Sequence, residues 1–194
     1  MITVPPGSPL PRRGNRFTAA LGRTAFRLSR WQLTGELPDT AKVVVIFAPH
    51  TSNWDWVLGM MSMFALSIRI AWMGKDALFR GPVAPIMRWF GGMPIKRNVA
   101  QGTVAQTIAE FTKRDGLVLV VSPEGTRQKV TRWKTGFYHI AHGAGVPICP
   151  ISLDYAKRRV NLHPVFIPTG DLEGDIEDLR AIFRDVAGKF PHKT

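Results

Sequence analysis

The sequence predicts a single α/β domain, with a largely parallel central sheet flanked by helices and an amphipathic helical segment at the N-terminus. Three observations carry the prediction. Residues 43–48 and 117–121 are continuous apolar, β-branched runs, as strands buried on both faces require. These and further extended runs alternate with stretches of helical periodicity, the order that winds into a parallel sheet. The length of 194 residues suits one domain, and 45% hydrophobic against 21% charged residues is globular composition.

Taken in order, residues 1–15 are rich in Pro, Gly and Arg and predict a mobile leader. Residues 16–34 predict a helix. Phe17, Leu21, Leu28 and Trp31 share one face at the 3.6-residue period, and Arg16, Arg23, Arg27 and Arg30 run beside it. Two roles suit that layout equally. One is an interfacial helix with its apolar groups in lipid and its arginines on phosphates; the other is a helix docked on its own domain. Phe26 and Leu33 fall on the far side. Residues 1–35 are therefore set apart as a basic N-terminal segment, with the main domain at 36–194.

After the first strand at 43–48, residues 53–66 predict a helix and 68–73 a strand. A short helix follows at 82–90, with Pro82 suited to its first turn and Gly91-Gly92 ending it. Residues 93–97 are extended, 99–114 helical and 117–121 a strand. Residues 137–142 form a helix stopped by Gly143 and Gly145. Strands at 147–155 and 159–166 come next. The closing helix at 175–189 is acidic at its start and basic at its end, as the helix dipole favours.

Composition narrows the function classes. The single cysteine, Cys149, excludes an intrachain disulfide and a zinc site of several thiolates, and fits a reducing compartment. Lys and Arg total 26 against 14 Asp and Glu, a net charge of +12, which favours an anionic partner. No stretch approaches the roughly 20 apolar residues of a membrane span. Pro5, Pro6, Pro9 and Pro11 occupy the place of a secretory signal's apolar region. There is no Gly-x-Ser-x-Gly nucleophile elbow and no Walker A pattern.

In open α/β sheets, sites form beyond the carboxyl ends of strands. The first strand ends in Ala48-Pro49-His50-Thr51-Ser52-Asn53-Trp54-Asp55. A turn of this length lets the Asp55 carboxylate meet one nitrogen of His50, a general base with an orienting acid. Ser52-x-x-Asp55 also reads as a helix capping box, which would make Asp55 structural. The strand at 117–121 runs into Ser122-Pro123-Glu124-Gly125-Thr126-Arg127. Gly125 permits positive φ there, and Arg127 offers a planar fork to a phosphate or carboxylate. Gly92-Met93-Pro94-Ile95-Lys96-Arg97 ends on two cations, and Val146-Pro147-Ile148-Cys149-Pro150 is an apolar strand edged by prolines.

In this order, the four segments resemble the glycerolipid acyltransferases typified by lysophosphatidic acid acyltransferase. His50 and Asp55 match the family's His-x4-Asp, Gly92 to Arg97 its second motif, Pro123 to Arg127 its Pro-Glu-Gly-Thr-Arg, and Val146 to Pro150 its fourth. Lys134-x-Gly136 is also similar to the family, and the likeness spans residues 43–155. Ser122, Pro94 and Gln128 depart from the common pattern, which bears on acceptor and chain length and leaves the chemistry intact.

The resemblance implies acyl transfer from an acyl-CoA or acyl-carrier-protein thioester to a lysophospholipid hydroxyl, with lysophosphatidic acid the first candidate acceptor. His50 would be the base and Asp55 its partner, with no metal, no cofactor and no covalent enzyme intermediate. Arg97 and Arg127 would hold the acceptor phosphate, helped by Lys134, and Glu124, Gly125 and Thr126 would shape the acceptor site. The expected setting is cytoplasmic, peripheral on the inner face of an anionic membrane, with no nucleic acid partner. A different class, a non-enzymatic basic module for membranes or nucleic acid, accounts for the charge but not for four ordered motifs. The same chemistry on another lysolipid accounts for both.

Overall fold

The computed structural model describes residues 2–95 and 102–193. Seven strands form one sheet in the order β1-β7-β6-β2-β5-β3-β4. They are β1 (Gln32–Gly35), β2 (Lys42–Ala48), β3 (Ile70–Lys75), β4 (Gly92–Ile95), β5 (Leu117–Val121), β6 (Ile148–Asp154) and β7 (Arg159–Leu162). Strands β6, β2, β5, β3 and β4 run parallel; β7 is antiparallel to β6, and β1 is parallel to β7. The carboxyl ends of the five parallel strands therefore share one edge of the sheet.

Alternate residues of β2 enter two cores. Val44, Ile46 and Ala48 pack with Phe111, Phe137, Ile140 and Leu179 beneath α4 (Gly102–Lys113), α5 (Gly136–Ala144) and α6 (Leu172–Ala181). Val43 and Val45 pack on the other face with Phe26, Leu58, Ala65 and Leu66 beneath α1 (Arg16–Ser29) and α2 (Trp54–Leu66). Burial on both faces explains why the strands read as unbroken apolar runs. Each large side chain so buried contributes roughly 1.5–3 kcal/mol. The remaining helix, α3 (Ala84–Trp89), follows a 3₁₀ turn at Asp76–Phe79 near the β3–β4 edge.

Four expectations need correction. Residues 2–15 are not a free leader: Leu10 is buried, and Pro11 accepts from Arg69 N at 2.7 Å while Arg13 N reaches Ser67 O at 2.9 Å. The first helix ends at Ser29 instead of 34, because Arg30 takes a left-handed φ of 57° and Trp31 N closes on Phe26 O at 3.0 Å. The chain reverses there into β1, with no glycine to announce the stop. The docked face of α1 carries Ala19, Gly22 and Phe26, opposite to the predicted stripe. The closing helix ends at Ala181, and the chain beyond it doubles back: Ala187 O accepts from Tyr155 N at 2.8 Å, and Phe190 N donates to Thr51 Oγ1 at 3.3 Å. Among the described residues no helix is long and apolar enough to cross a membrane.

Candidate active site

Register brings the site together. β2 lies between β5 and β6, with Ile46 opposite Val121 and Ala48 opposite Ser152. The turns after all three strands therefore open at one place. His50 leaves β2, Glu124 leaves β5 and Tyr155 leaves β6.

Asp55 is the centre of this cluster. It lies in the first turn of α2 and is 2% exposed. Its Oδ2 accepts from Thr51 N at 3.0 Å and Ser52 N at 2.9 Å, and stands 2.9 Å from His50 Nδ1. Its Oδ1 accepts from Tyr155 Oη at 2.6 Å. A buried carboxylate is expensive unless its lone pairs are filled, and four donors fill them here. The capping box that Ser52-x-x-Asp55 suggests is not formed: the N-cap of α2 is Asn53, with no side-chain cap bond, and the Ser52 hydroxyl accepts from Trp54 N, so Asp55 binds the backbone of the His50 turn and the imidazole with one group.

His50 lies at the rim of this cluster, with 21% of its side chain exposed. Its ring meets Phe47 edge-on at 5.1 Å, and its backbone N–H donates to Glu124 Oε2 at 2.9 Å. Burial pushes the Glu124 carboxyl above its ordinary value, although the hydrogen bond from His50 pulls the other way. Gly125 has φ +63°, and a Cβ there would come within 2.8 Å of Lys134 Cδ and Nζ. The lysine side chain thus lies across the bare face of the glycine, and Lys134 N donates to Pro123 O at 2.8 Å. Arg127 Nη1 donates to Asn53 Oδ1, tying the second turn to the first. Thr126, Arg127 and Lys134 are exposed around this mouth. Arg97 lies outside the described residues.

The structure thus gathers His50, Asp55, Glu124, Gly125, Thr126, Arg127 and Lys134 at two adjoining turns. Tyr155 is the residue that sequence reading missed. Burial, then its bond to Asp55, raises its hydroxyl far above the ordinary tyrosine value. Its ring packs edge-on against Trp31 at 4.9 Å. No motif marks it; only the register of β6 against β2 puts a residue so distant in sequence beside Asp55. The C-terminal stretch was also missed. Lys189 Nζ sits 4.5 Å from the Trp54 ring centroid, and Phe190 N holds Thr51, so residues beyond α6 close over the His50 turn.

A family model described as Acyltransferase matches residues 30–154. The 1-acyl-sn-glycerol-3-phosphate acyltransferase of Escherichia coli (strain K12) is 31% identical over 126 residues, covering 61% of this chain and 50% of that protein. The protein of the same name from Haemophilus influenzae is 31% identical over 121 residues, covering 59% and 49%. The chain thus spans about half the length of the curated relatives it matches. Among solved structures, the crystal structure of the 1-acyl-sn-glycerophosphate (LPA) acyltransferase PlsC from Thermotoga maritima superposes with a TM-score of 0.55. That likeness covers 89% of this chain and 81% of the other at 20% identity, and it shows a shared fold.

Proposed function

This chain belongs to the acyltransferase family, and from that premise we propose that it moves a fatty acyl group from an acyl-CoA or acyl-carrier-protein thioester to the hydroxyl of lysophosphatidic acid, giving phosphatidic acid. The observation that carries the proposal is the His50–Asp55 pair, 2.9 Å apart at the rim of the parallel sheet's carboxyl edge. With Nδ1 committed to a buried carboxylate, Nε2 is the nitrogen that takes a proton. The acceptor hydroxyl gives its proton to Nε2 as its oxygen bonds to the thioester carbonyl carbon. The tetrahedral adduct then expels the thiolate, the imidazolium returns the proton to sulfur, and an ester and a free thiol leave. Asp55 fixes the tautomer and stabilises the imidazolium.

Arg127, held toward the mouth by Asn53, takes the acceptor phosphate through its planar fork, with Lys134 as the nearby second cation and Arg97 assigned the same task. Glu124, Gly125 and Thr126 form the wall between them, and Gly125 lets backbone and phosphate approach closely. No cofactor is needed beyond the thioester. The setting is peripheral, on the cytoplasmic side of an anionic membrane.

The test is thiol release by the purified protein with an acyl thioester and a panel of lysolipids, with products identified by mass spectrometry. Phosphatidic acid should form from lysophosphatidic acid, and His50→Ala should lower turnover by about 10²-fold or more while keeping the fold. Turnover within about tenfold of the parent is too small a loss for removal of the base and would overturn the assignment. Faster reaction with a neutral lysolipid would overturn the acceptor.

A further inference from the structure

Helix α1 has two apolar sides. Ala19, Gly22 and Phe26 dock on the domain. Phe17, Leu21 and Leu28 face outward and are 75%, 56% and 82% exposed. Between these sides, along one flank, run Arg16, Arg23 and Arg27, whose spacing of seven and four residues keeps them on one side of the helix.

Two surface cavities open on that flank. One, of about 550 Å³, is lined by Arg23, Arg27, Trp31, Thr3, Gln32 and Thr34. The other, of about 560 Å³, is lined by Arg12, Arg13, Arg16 and Arg23, with Asn15 and Ser67. Arg23 is shared, and no carboxylate lines either cavity. Among the described residues, none of these five arginines forms an ion pair. Arg23 Nε makes one long bond to Ala65 O at 3.4 Å, and Arg13 lies 4.3 Å over the Trp89 ring. Burial, with Arg69 nearby, pulls the Arg13 guanidinium below its ordinary value.

Guanidiniums gathered without acids repel one another, and an anion with several oxygens relieves them through paired hydrogen bonds. A nucleic acid or free phosphate would supply the oxygens but leave Phe17, Leu21 and Leu28 in water. A bilayer interface takes both, since the apolar stripe sinks to the acyl boundary at the depth where phosphates meet the arginines. We propose that the two arginine-lined cavities flanking Arg23 are headgroup sites for anionic phospholipids, occupied when the outward stripe of α1 enters the bilayer. The proposal deepens the membrane setting given above and rests on it.

The experiment is flotation of the full chain with phosphatidylcholine vesicles, with and without phosphatidylglycerol. Arg23→Gln with Arg27→Gln tests the first cavity, and Arg12→Gln with Arg16→Gln the second. Arg180→Gln with Arg184→Gln removes equal charge from the α6 side, across the sheet from α1. Each cavity double should lose about tenfold or more in partition to phosphatidylglycerol vesicles, from roughly 1 kcal/mol per basic residue at the surface. The α6 double should stay within about twofold, because charges far from the bilayer are screened. Equal loss in all three doubles would reduce the effect to net charge and overturn the sites. So would flotation of the cavity doubles like the parent. If single-stranded RNA displaces the vesicles, and its retention falls more than flotation in the cavity doubles, the occupant is nucleic acid and the proposal fails. Turnover with water-soluble short-chain substrates separates the two readings. The cavity doubles should match the parent there, while a parent that is inactive sinks the reaction and leaves the flotation result standing.

Discussion

One carboxylate organises the candidate site. Asp55 receives two backbone N–H groups and the His50 ring on Oδ2 and the Tyr155 hydroxyl on Oδ1, so removing the tyrosine hydroxyl leaves a buried oxygen under-satisfied. Tyr155→Phe keeps the ring against Trp31 and deletes only the bond to Oδ1. We expect kcat to fall by about tenfold, the equivalent of one hydrogen bond to a charged group, with both KM values nearly unchanged because Tyr155 positions Asp55 and is assigned no substrate contact. Steady-state kinetics on both substrates check this, and a loss confined to KM would contradict it. Glu124 yields a pH prediction. Its folded-state value is raised by burial, so between the ordinary and raised values the folded protein holds more protons than the unfolded chain. Its contribution to stability is present at low pH and is lost as pH rises through that window. Glu124→Gln still accepts from His50 N but cannot ionise. The difference in unfolding midpoint between variant and parent should therefore grow in the variant's favour from acid to neutral pH. A difference that shrinks instead would reverse the sign.

At the scale of elements, α1 and α2 meet through glycine. A Cβ on Gly22 would fall 2.5 Å from Ala65 N and 2.9 Å from Met61 O, both backbone atoms that cannot turn aside. Gly59, within α2, has nothing within 4 Å. Alanine improves helix propensity by about 1 kcal/mol at either site, but crowding in a packed interface costs about 1–3 kcal/mol. Gly22→Ala should therefore lower the urea midpoint and Gly59→Ala should raise it. Stabilisation by both would mean that the helices do not approach closely at Gly22. This contact matters beyond stability, because the same α1 leads through Arg30 to Trp31, which packs on Tyr155.

For the whole molecule, the sheet separates two cores and presents the parallel strand ends at one edge. Cys149 lies in β6, is fully buried, and its thiol is pushed up to about 12 by desolvation. A reagent that needs the exposed thiolate can reach it only when β6 leaves the sheet. Labelling at neutral pH should therefore be slow, and should accelerate with urea in parallel with global unfolding. Rapid labelling of the native protein would show that this core opens locally.

Much of this architecture is legible from composition and period alone. Strands buried on both faces must be apolar throughout, so β2, β5 and β6 stand out as runs, and the turns after β2 and β5 carry His50, Asp55 and Pro123 to Arg127 as contiguous motifs. Contiguity makes them readable, because local spacing already restricts which atoms can meet, and the family likeness rests on the same segments. Residues joined only by register are different. Tyr155 meets Asp55 because β6 pairs with β2, and residues 187–190 reach the His50 turn because the chain reverses after α6; neither leaves a local signal. The sense of α1 belongs here too. Periodicity shows an apolar stripe with arginines beside it, but Phe17 and Phe26 are equally apolar. Which side docks was decided by the glycine at 22 and the backbone of α2. Local spacing along the chain thus sets most of the succession of strands and helices and the chemistry carried on their turns, since both follow from neighbours in sequence. Strand order in the sheet, the distant side chains that support that chemistry and the apolar face left outward follow from how separate elements fit together, which no local spacing encodes.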